Sequence, residues 1–230
     1  MKAQFHAFAA AALAAGVTIA LTGTASAQLA PGYSGQSGVQ YMGNEEVWWS
    51  LRQLGGCLAR TRPRASETFL ATQPGTPAEA AASRALLGTN TSCLQPNSRL
   101  SVTRDLLRGV VAEGLYTRTV TAPPPALATA PDDVPAIGRD GKELRIPILV
   151  SFARCYVAMR PNEVHNLLTT TRLGTRAEHE AIGTMAADFG QCLRAGARVN
   201  LQAPVVRIVL AEAIYHRARA AGAAAPQGRR

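Results

Sequence analysis

Two stretches of the chain place a carboxylate where a helix would bury it. In RGVVAEGLY, Arg108 to Tyr116, Glu113 is surrounded by Val, Leu and Gly, and RIVLAEAIY, Arg207 to Tyr215, repeats the oddity with Glu212. At about 100° per residue Glu113 falls within the apolar stripe of Val102, Leu106 and Val110, and Glu212 within that of Leu201, Val205 and Val209. A carboxyl in apolar surroundings keeps its proton to higher pH and can protonate a glycosidic oxygen, so a cell-wall-acting enzyme is one reading. The other is that each carboxylate is neutralised inside the fold, because an unpaired buried charge is too costly to persist. A catalytic acid is needed once and this feature occurs twice, which favours the structural reading.

Other chemistry-bearing groups are weaker. His179-Glu180 opens like H-E-x-x-H, but Gly183 stands where the second zinc-binding histidine is required. Glu178, His179 and Glu180 are expected on the exposed first turn of a helix, where negative charge complements the dipole. Glu163 with His165, and Glu212 with His216 at i, i+4, read as surface decoration or as an acid–base or metal site in the second half only. No G-x-S-x-G, phosphate-binding loop, dinucleotide fingerprint or C-x-x-C occurs, so the sequence implies no cofactor and no metal. Trp48-Trp49, without an aromatic counterpart at Ile146-Pro147, is expected to pack on the fold.

The elements that must hold these residues are set by an internal repeat. Cys57 on Cys155 aligns Arg62-Pro63 with Arg160-Pro161 and Leu70 with Leu168, all at an offset of 98. One inserted residue then aligns Gly75-Thr76 with Gly174-Thr175, Cys93-Leu94 with Cys192-Leu193, and the two glutamate stretches. Each copy reads as four helices. The first, Glu45 to Ala59 or Ile148 to Met159, ends just ahead of an Arg-Pro step, and proline suits the first position of a second, short helix to about Ala71 or Thr170. A third opens on a capping box, Thr76 to Glu79 or Thr175 to Glu178, and should reach the second cysteine. The fourth should start near Ser101 or Asn200 and carries the glutamate.

Four cysteines allow three pairings, and a duplicated unit most simply carries its own staple: Cys57 with Cys93, and Cys155 with Cys192. Each bridge closes a loop that the chain-entropy treatment values at about 3.5 to 4 kcal/mol.

The ends set the compartment. Lys2, the uncharged apolar run Phe8 to Leu21 and Ala25-Ser26-Ala27 have the form of a signal peptide, residues 1–27, which implies a periplasmic or secreted protein where disulfides persist. No later run is long and apolar enough for a transmembrane helix. The chain carries +9, with arginines outnumbering lysines by 22 to 2. An anionic envelope component is thus a candidate partner; nucleic acid is not, because no basic run interleaved with aromatics occurs. Residues 28–44 are expected to be mobile, 45–118 to form helical repeat 1, 119–147 a Pro-rich linker, 148–217 helical repeat 2, and 218–230 a mobile basic tail.

For the glutamates, Arg108 and Arg207 stand five residues away on their own helices, about 140° round, and cannot reach them. The arginines expected to do so are those at the helix breaks, giving buried pairs Arg62 with Glu113 and Arg160 with Glu212, assisted by Tyr116 and Tyr215. The pattern C-x4-R-P, G-T-x-x-E, C-L, R-x4-E-x-x-Y, spanning about Leu51 to Arg217, resembles exported bacterial proteins with a duplicated helical cysteine-pair unit, a resemblance that implies no activity. The expectation is therefore an all-α protein of two tandem pseudo-symmetric four-helix repeats, each stapled by one disulfide and joined by the linker. Its role is expected to be non-catalytic, structural or binding, in the cell envelope, with the enzyme reading as the alternative.

Overall fold

The computed structural model describes residues 45–88, 92–93, 102–127, 145–193 and 201–224, and among them the chain is all-helical, without strands. The first half holds α1 (Glu45–Thr61), α2 (Pro63–Ala71), α3 (Pro77–Leu87) and α4 (Arg104–Thr119). The second holds α5 (Arg145–Met159), α6 (Pro161–Thr170), α7 (Arg176–Met185), a 3-10 segment Ala186–Cys192, and α8 (Ala203–Ala224). The expected leader, residues 28–44, most of the Pro-rich stretch and the last six residues lie outside the described residues.

Local chemistry accounts for the boundaries. Pro63 and Pro161 open α2 and α6, where a missing N–H costs nothing, and Arg62 and Arg160 adopt nearly the same kinked backbone before them. Thr76 and Thr175 cap α3 and α7 by accepting from the N–H of Glu79 and Glu178. Each glutamate then accepts not from the capping threonine but from the glycine before it, Gly75 N–H at 2.9 Å and Gly174 N–H at 2.7 Å. Both glycines sit at positive φ, +79° and +82°, which a side chain would strain.

Several expected helix ends shift. α3 stops at Leu87 rather than running to Cys93, because Gly88 at φ +59° ends it. α7 gives way at Met185 to the 3-10 segment that carries the chain to Cys192. α4 starts at Arg104 with Thr103 as its cap, and Pro204 lies in the first turn of α8, where it is tolerated. α8 continues through Ala218–Ala224, so the start of the expected mobile tail is helix, as its alanines favour.

The disulfides pair Cys57 with Cys93 and Cys155 with Cys192, each with Cα atoms 5.5 Å apart. No helix among the described residues is long and apolar enough to cross a membrane. One apolar core runs through both halves, joining Leu58, Phe69, Leu107 and Val111 to Phe152, Leu168, Val206 and Leu210. At its centre α4 lies between α1 and α8, and α5 covers the other side of α8. The start of the expected linker is tied down rather than free: Leu127 N–H donates to Ala158 O at 2.8 Å, and Arg217 donates to Pro125 O.

Glycines in α1 and α4 are there for close approach. A Cβ on Gly55 would come within 2.2 Å of Val110 O, and one on Gly109 within 2.0 Å of Ile208 Cγ2. Gly109→Ala should therefore lower the thermal midpoint, since overpacking of about 1 to 3 kcal/mol outweighs the gain of about 1 kcal/mol in helix propensity. In an Ile208→Ala background the cost should shrink but persist, because the Cβ and backbone oxygen of residue 208 would still lie 2.7 Å from the added methyl. A higher midpoint for Gly109→Ala in the otherwise unchanged protein would contradict this packing.

Candidate functional site

Two arginines are buried at the centre of the molecule, Arg108 on α4 and Arg207 on α8, at 2% and 0% exposure. A guanidinium in that position must use its donors on acceptors inside the fold. Arg108 directs Nη1 to Phe69 O and Thr72 Oγ1 and Nη2 to Leu70 O, and its guanidinium carbon stands 5.4 Å over the Phe69 ring. Arg207 treats α6 in the same manner, with Nη1 to Leu167 O and Thr171 Oγ1 and Nη2 to Leu168 O and Thr171 O. Each arginine thus fastens the carboxyl end of the short helix in its own half.

The counter-charges come from the opposite half. Arg207 grips Glu113 with Nε on Oε2 at 2.9 Å and Nη2 on Oε1 at 2.8 Å. Arg108 grips Glu212 through Oε1 alone, with Nε at 2.8 Å and Nη2 at 2.5 Å. Within each half the capping-box glutamate adds a second carboxylate, Glu79 at 3.5 Å from Arg108 and Glu178 at 3.7 Å from Arg207. Two clusters result, each of one buried guanidinium and two carboxylates.

The expected pairs are therefore replaced. Arg62 does not meet Glu113; it donates to the carbonyls of Leu86 at 3.0 Å and Ala85 at 3.4 Å, near the end of α3. Arg160 does not meet Glu212; it is exposed and pairs with Asp188 at 3.0 Å and Glu163 at 3.9 Å. The tyrosines serve neither glutamate as expected: the Tyr116 hydroxyl meets His165 Nδ1 at 2.9 Å, and burial pushes it up to about 12. Glu163 and His165 diverge, the former accepting from Tyr156 OH at 2.6 Å. His179 and Glu180 are exposed, but Glu178 is buried at 1%, because its capping role turns it inward against Arg207. Trp48 is buried and Trp49 exposed. No group of His, Cys, Asp and Glu able to hold a metal ion occurs among the described residues.

The two clusters differ in what covers them. Around Arg207, Arg52 of α1 reaches Glu113 Oε1 with Nε at 3.1 Å, and Trp48 closes on Gly174 so tightly that a Cβ there would lie 2.6 Å from it. Trp48, Leu51, Val110 and Leu173 complete an apolar seal. Around Arg108 a cleft of about 580 Å3 opens between the end of α2, α5 and α8, with Leu70, Val150, Ala153, Val209 and Ala213 among its walls and Arg108, Glu212 and His216 at its polar side. Arg104 covers Glu79 there, Nε to Oε2 at 3.1 Å, whereas the outer neighbour of Glu212 among the described residues is the half-exposed His216 ring, Nε2 3.6 Å from Oε1.

Charge states follow from this geometry. Burial pushes the Glu212 carboxyl up, but the His216 ring and the Arg108 guanidinium outweigh it and hold it below the usual 4.5. That is the wrong direction for a general acid at neutral pH. Glu178 goes the other way, to about 7: burial dominates, and the Arg207 charge and the Gly174 N–H only partly offset it. Its Oε1 has no hydrogen-bond partner among the described residues, and Ala203 stands where α4 has Arg104 to serve Glu79. Asp105 is also raised, first by burial and then by Glu79 and Glu212.

Comparison with family models, with curated proteins and with solved structures brings no match. The functional reading rests on the geometry of the two clusters.

A pH measurement tests the state of Glu178. Its folded pKa of about 7 lies above the ordinary 4.5, so the native state holds a proton that the unfolded chain releases across that interval. The stability it contributes is fully present below about pH 4.5 and is lost as pH rises towards 7. Relative to Glu178→Gln, which keeps a neutral side chain throughout, the wild type should lose stability across that window in denaturant titrations. A wild-type-to-variant difference that stays constant with pH would show the carboxylate ionised throughout.

Proposed function

We propose that the chain is an exported, non-catalytic helical module of the cell envelope, periplasmic or secreted, made of two copies of one four-helix unit, with a structural or binding role. The observation that carries this reading is that both inward-facing glutamates are gripped by buried guanidiniums of the opposite half. A carboxylate used in this way holds two units together and is not poised to give up a proton. Two disulfides at matching places support an oxidising compartment. The duplicated-unit reading is supported by the shared cap, break and cradle geometry, in which Thr76, Gly75 and Thr72 do in the first half what Thr175, Gly174 and Thr171 do in the second. The net charge of +9 suits an anionic envelope partner for the outer surface.

One observation favours the enzyme reading: Glu212 edges a cleft of a size that takes small ligands. The lowered carboxyl of Glu212 weighs against its acting as an acid on a glycosidic oxygen. Zymography on peptidoglycan with the purified, oxidised protein separates the two. No clearing is expected from the wild type, Glu113→Gln or Glu212→Gln, and both variants should melt early. Clearing by the wild type that disappears in a folded Glu212→Gln variant would establish the enzyme instead.

A further inference from the structure

We propose that the cleft beside Glu212 is a binding site for a guanidinium group carried on a short apolar stem. The proposal deepens the binding role just given and rests on it. Its basis is a comparison that the molecule makes with itself.

At the offset that aligns Cys57 with Cys155, Arg52 of α1 corresponds to Val150 of α5. In the sealed cluster the Arg52 side chain runs to Glu113 and adds a second guanidinium to the one Arg207 supplies. In the other cluster Val150 is a wall of the cleft and reaches nothing polar, so the space corresponding to that second guanidinium is open. Its depth has a cause in the same correspondence. Gly55 and Gly114 let α1 and α4 meet so closely that a Cβ on Gly114 would lie 2.8 Å from Gly55 O. On α5 and α8 the corresponding residues are Ala153 and Ala213, whose methyls both line the cleft.

On Glu212 the cleft leaves an acceptor open. Arg108 spends its donors on Glu212, Glu79, Phe69 O, Leu70 O and Thr72, so it offers an incoming anion little. Glu212 receives all its contacts, from Arg108 and from His216, on Oε1; Oε2 has no partner among the described residues. Arg154 stands exposed at the cleft and forms no ion pair with Glu212. A ligand guanidinium on Oε2 gives Glu212 a second guanidinium, as Arg52 gives Glu113, but on the oxygen that Arg108 leaves free rather than on a shared one, and Leu70, Val150 and Val209 accept its apolar stem. The sealed cluster shows that this fold accommodates one carboxylate between two guanidiniums without a further counter-charge beyond the capping glutamate.

Two sources supply such a group, a small guanidine or an arginine side chain of a polypeptide. Butylguanidinium is titrated into the oxidised protein and followed by amide NMR shifts at Leu70, Val150, Ala153 and Ala213, beside butanesulfonate, with the same stem and opposite charge, and the blocked tripeptide acetyl-Ala-Arg-Ala-amide. Saturable shifts with butylguanidinium and none with butanesulfonate are expected. Tighter binding of the tripeptide assigns the polypeptide source, and its failure beside bound butylguanidinium assigns the small molecule. Val150→Arg, which supplies the missing guanidinium from the chain itself, should weaken butylguanidinium binding by more than about tenfold while leaving the circular dichroism and thermal midpoint intact or improved. Absence of saturable shifts, equal binding of butanesulfonate, or an affinity unchanged by Val150→Arg would each overturn the proposal. None of these results depends on peptidoglycan clearing, which alone decides the enzyme reading.

Discussion

Two guanidiniums inside an apolar core constrain everything around them. Arg108 and Arg207 are almost wholly removed from solvent, so each requires carbonyls, a hydroxyl and carboxylates at fixed places, and the chain supplies those from both halves. The ends of α2 and α6, the capping boxes of α3 and α7 and the crossing of α4 with α8 are all tied to these two side chains. Pulling the halves apart would leave two arginines and two glutamates without their partners at once. Such pairs add little net stability compared with well-packed apolar residues, because desolvation offsets the attraction, but removing one member costs about 3 to 5 kcal/mol. Their effect is to specify one way for the halves to meet.

The same arrangement appears twice with different surroundings, and the differences are few. Arg52 faces Val150, Gly55 faces Ala153, Gly114 faces Ala213 and Arg104 faces Ala203 across the sequence correspondence. Arg52, with Trp48, seals the cluster around Arg207; the alanines and Val150 leave the one around Arg108 open to a cleft. Arg104 pairs with Glu79, whereas Ala203 offers Glu178 no such partner and burial pushes that carboxyl up to about 7. A duplicated scaffold in the proposed sense can thus retain one cluster for folding and leave the other for binding.

Much of the helical framework was legible in the sequence because its signals are local. Pro63 and Pro161, Thr76 and Thr175, and Gly75 and Gly174 act within a turn or two of where they stand, and the helices begin at or near the positions they mark. The disulfide pairing followed from the correspondence of the two halves. The charge pairs did not, because helical periodicity tells which residues face inward but not which element faces them. Arg108 and Arg207 stand on the wrong side of their own helices to serve Glu113 and Glu212, and that geometry is what aims them at the neighbouring helix. Glu178 was misplaced on the surface for a related reason: its neighbours His179 and Glu180 are exposed, and only the buried Arg207 makes sense of its turning inward. The cleft carries no sequence signal of its own beyond Val150 and Ala153 standing where Arg52 and Gly55 do.

The central claim is that each inward glutamate is held by the arginine of the other half. A double-mutant cycle by denaturant unfolding of the oxidised protein, using Arg207→Met with Glu113→Gln and Arg108→Met with Glu212→Gln, measures it directly. Coupling of about 1 to 3 kcal/mol is predicted within each crossed pair, while Arg62→Met with Glu113→Gln should be additive within about 0.5 kcal/mol. Additive behaviour in the crossed pairs, or strong coupling between Arg62 and Glu113, would contradict the account.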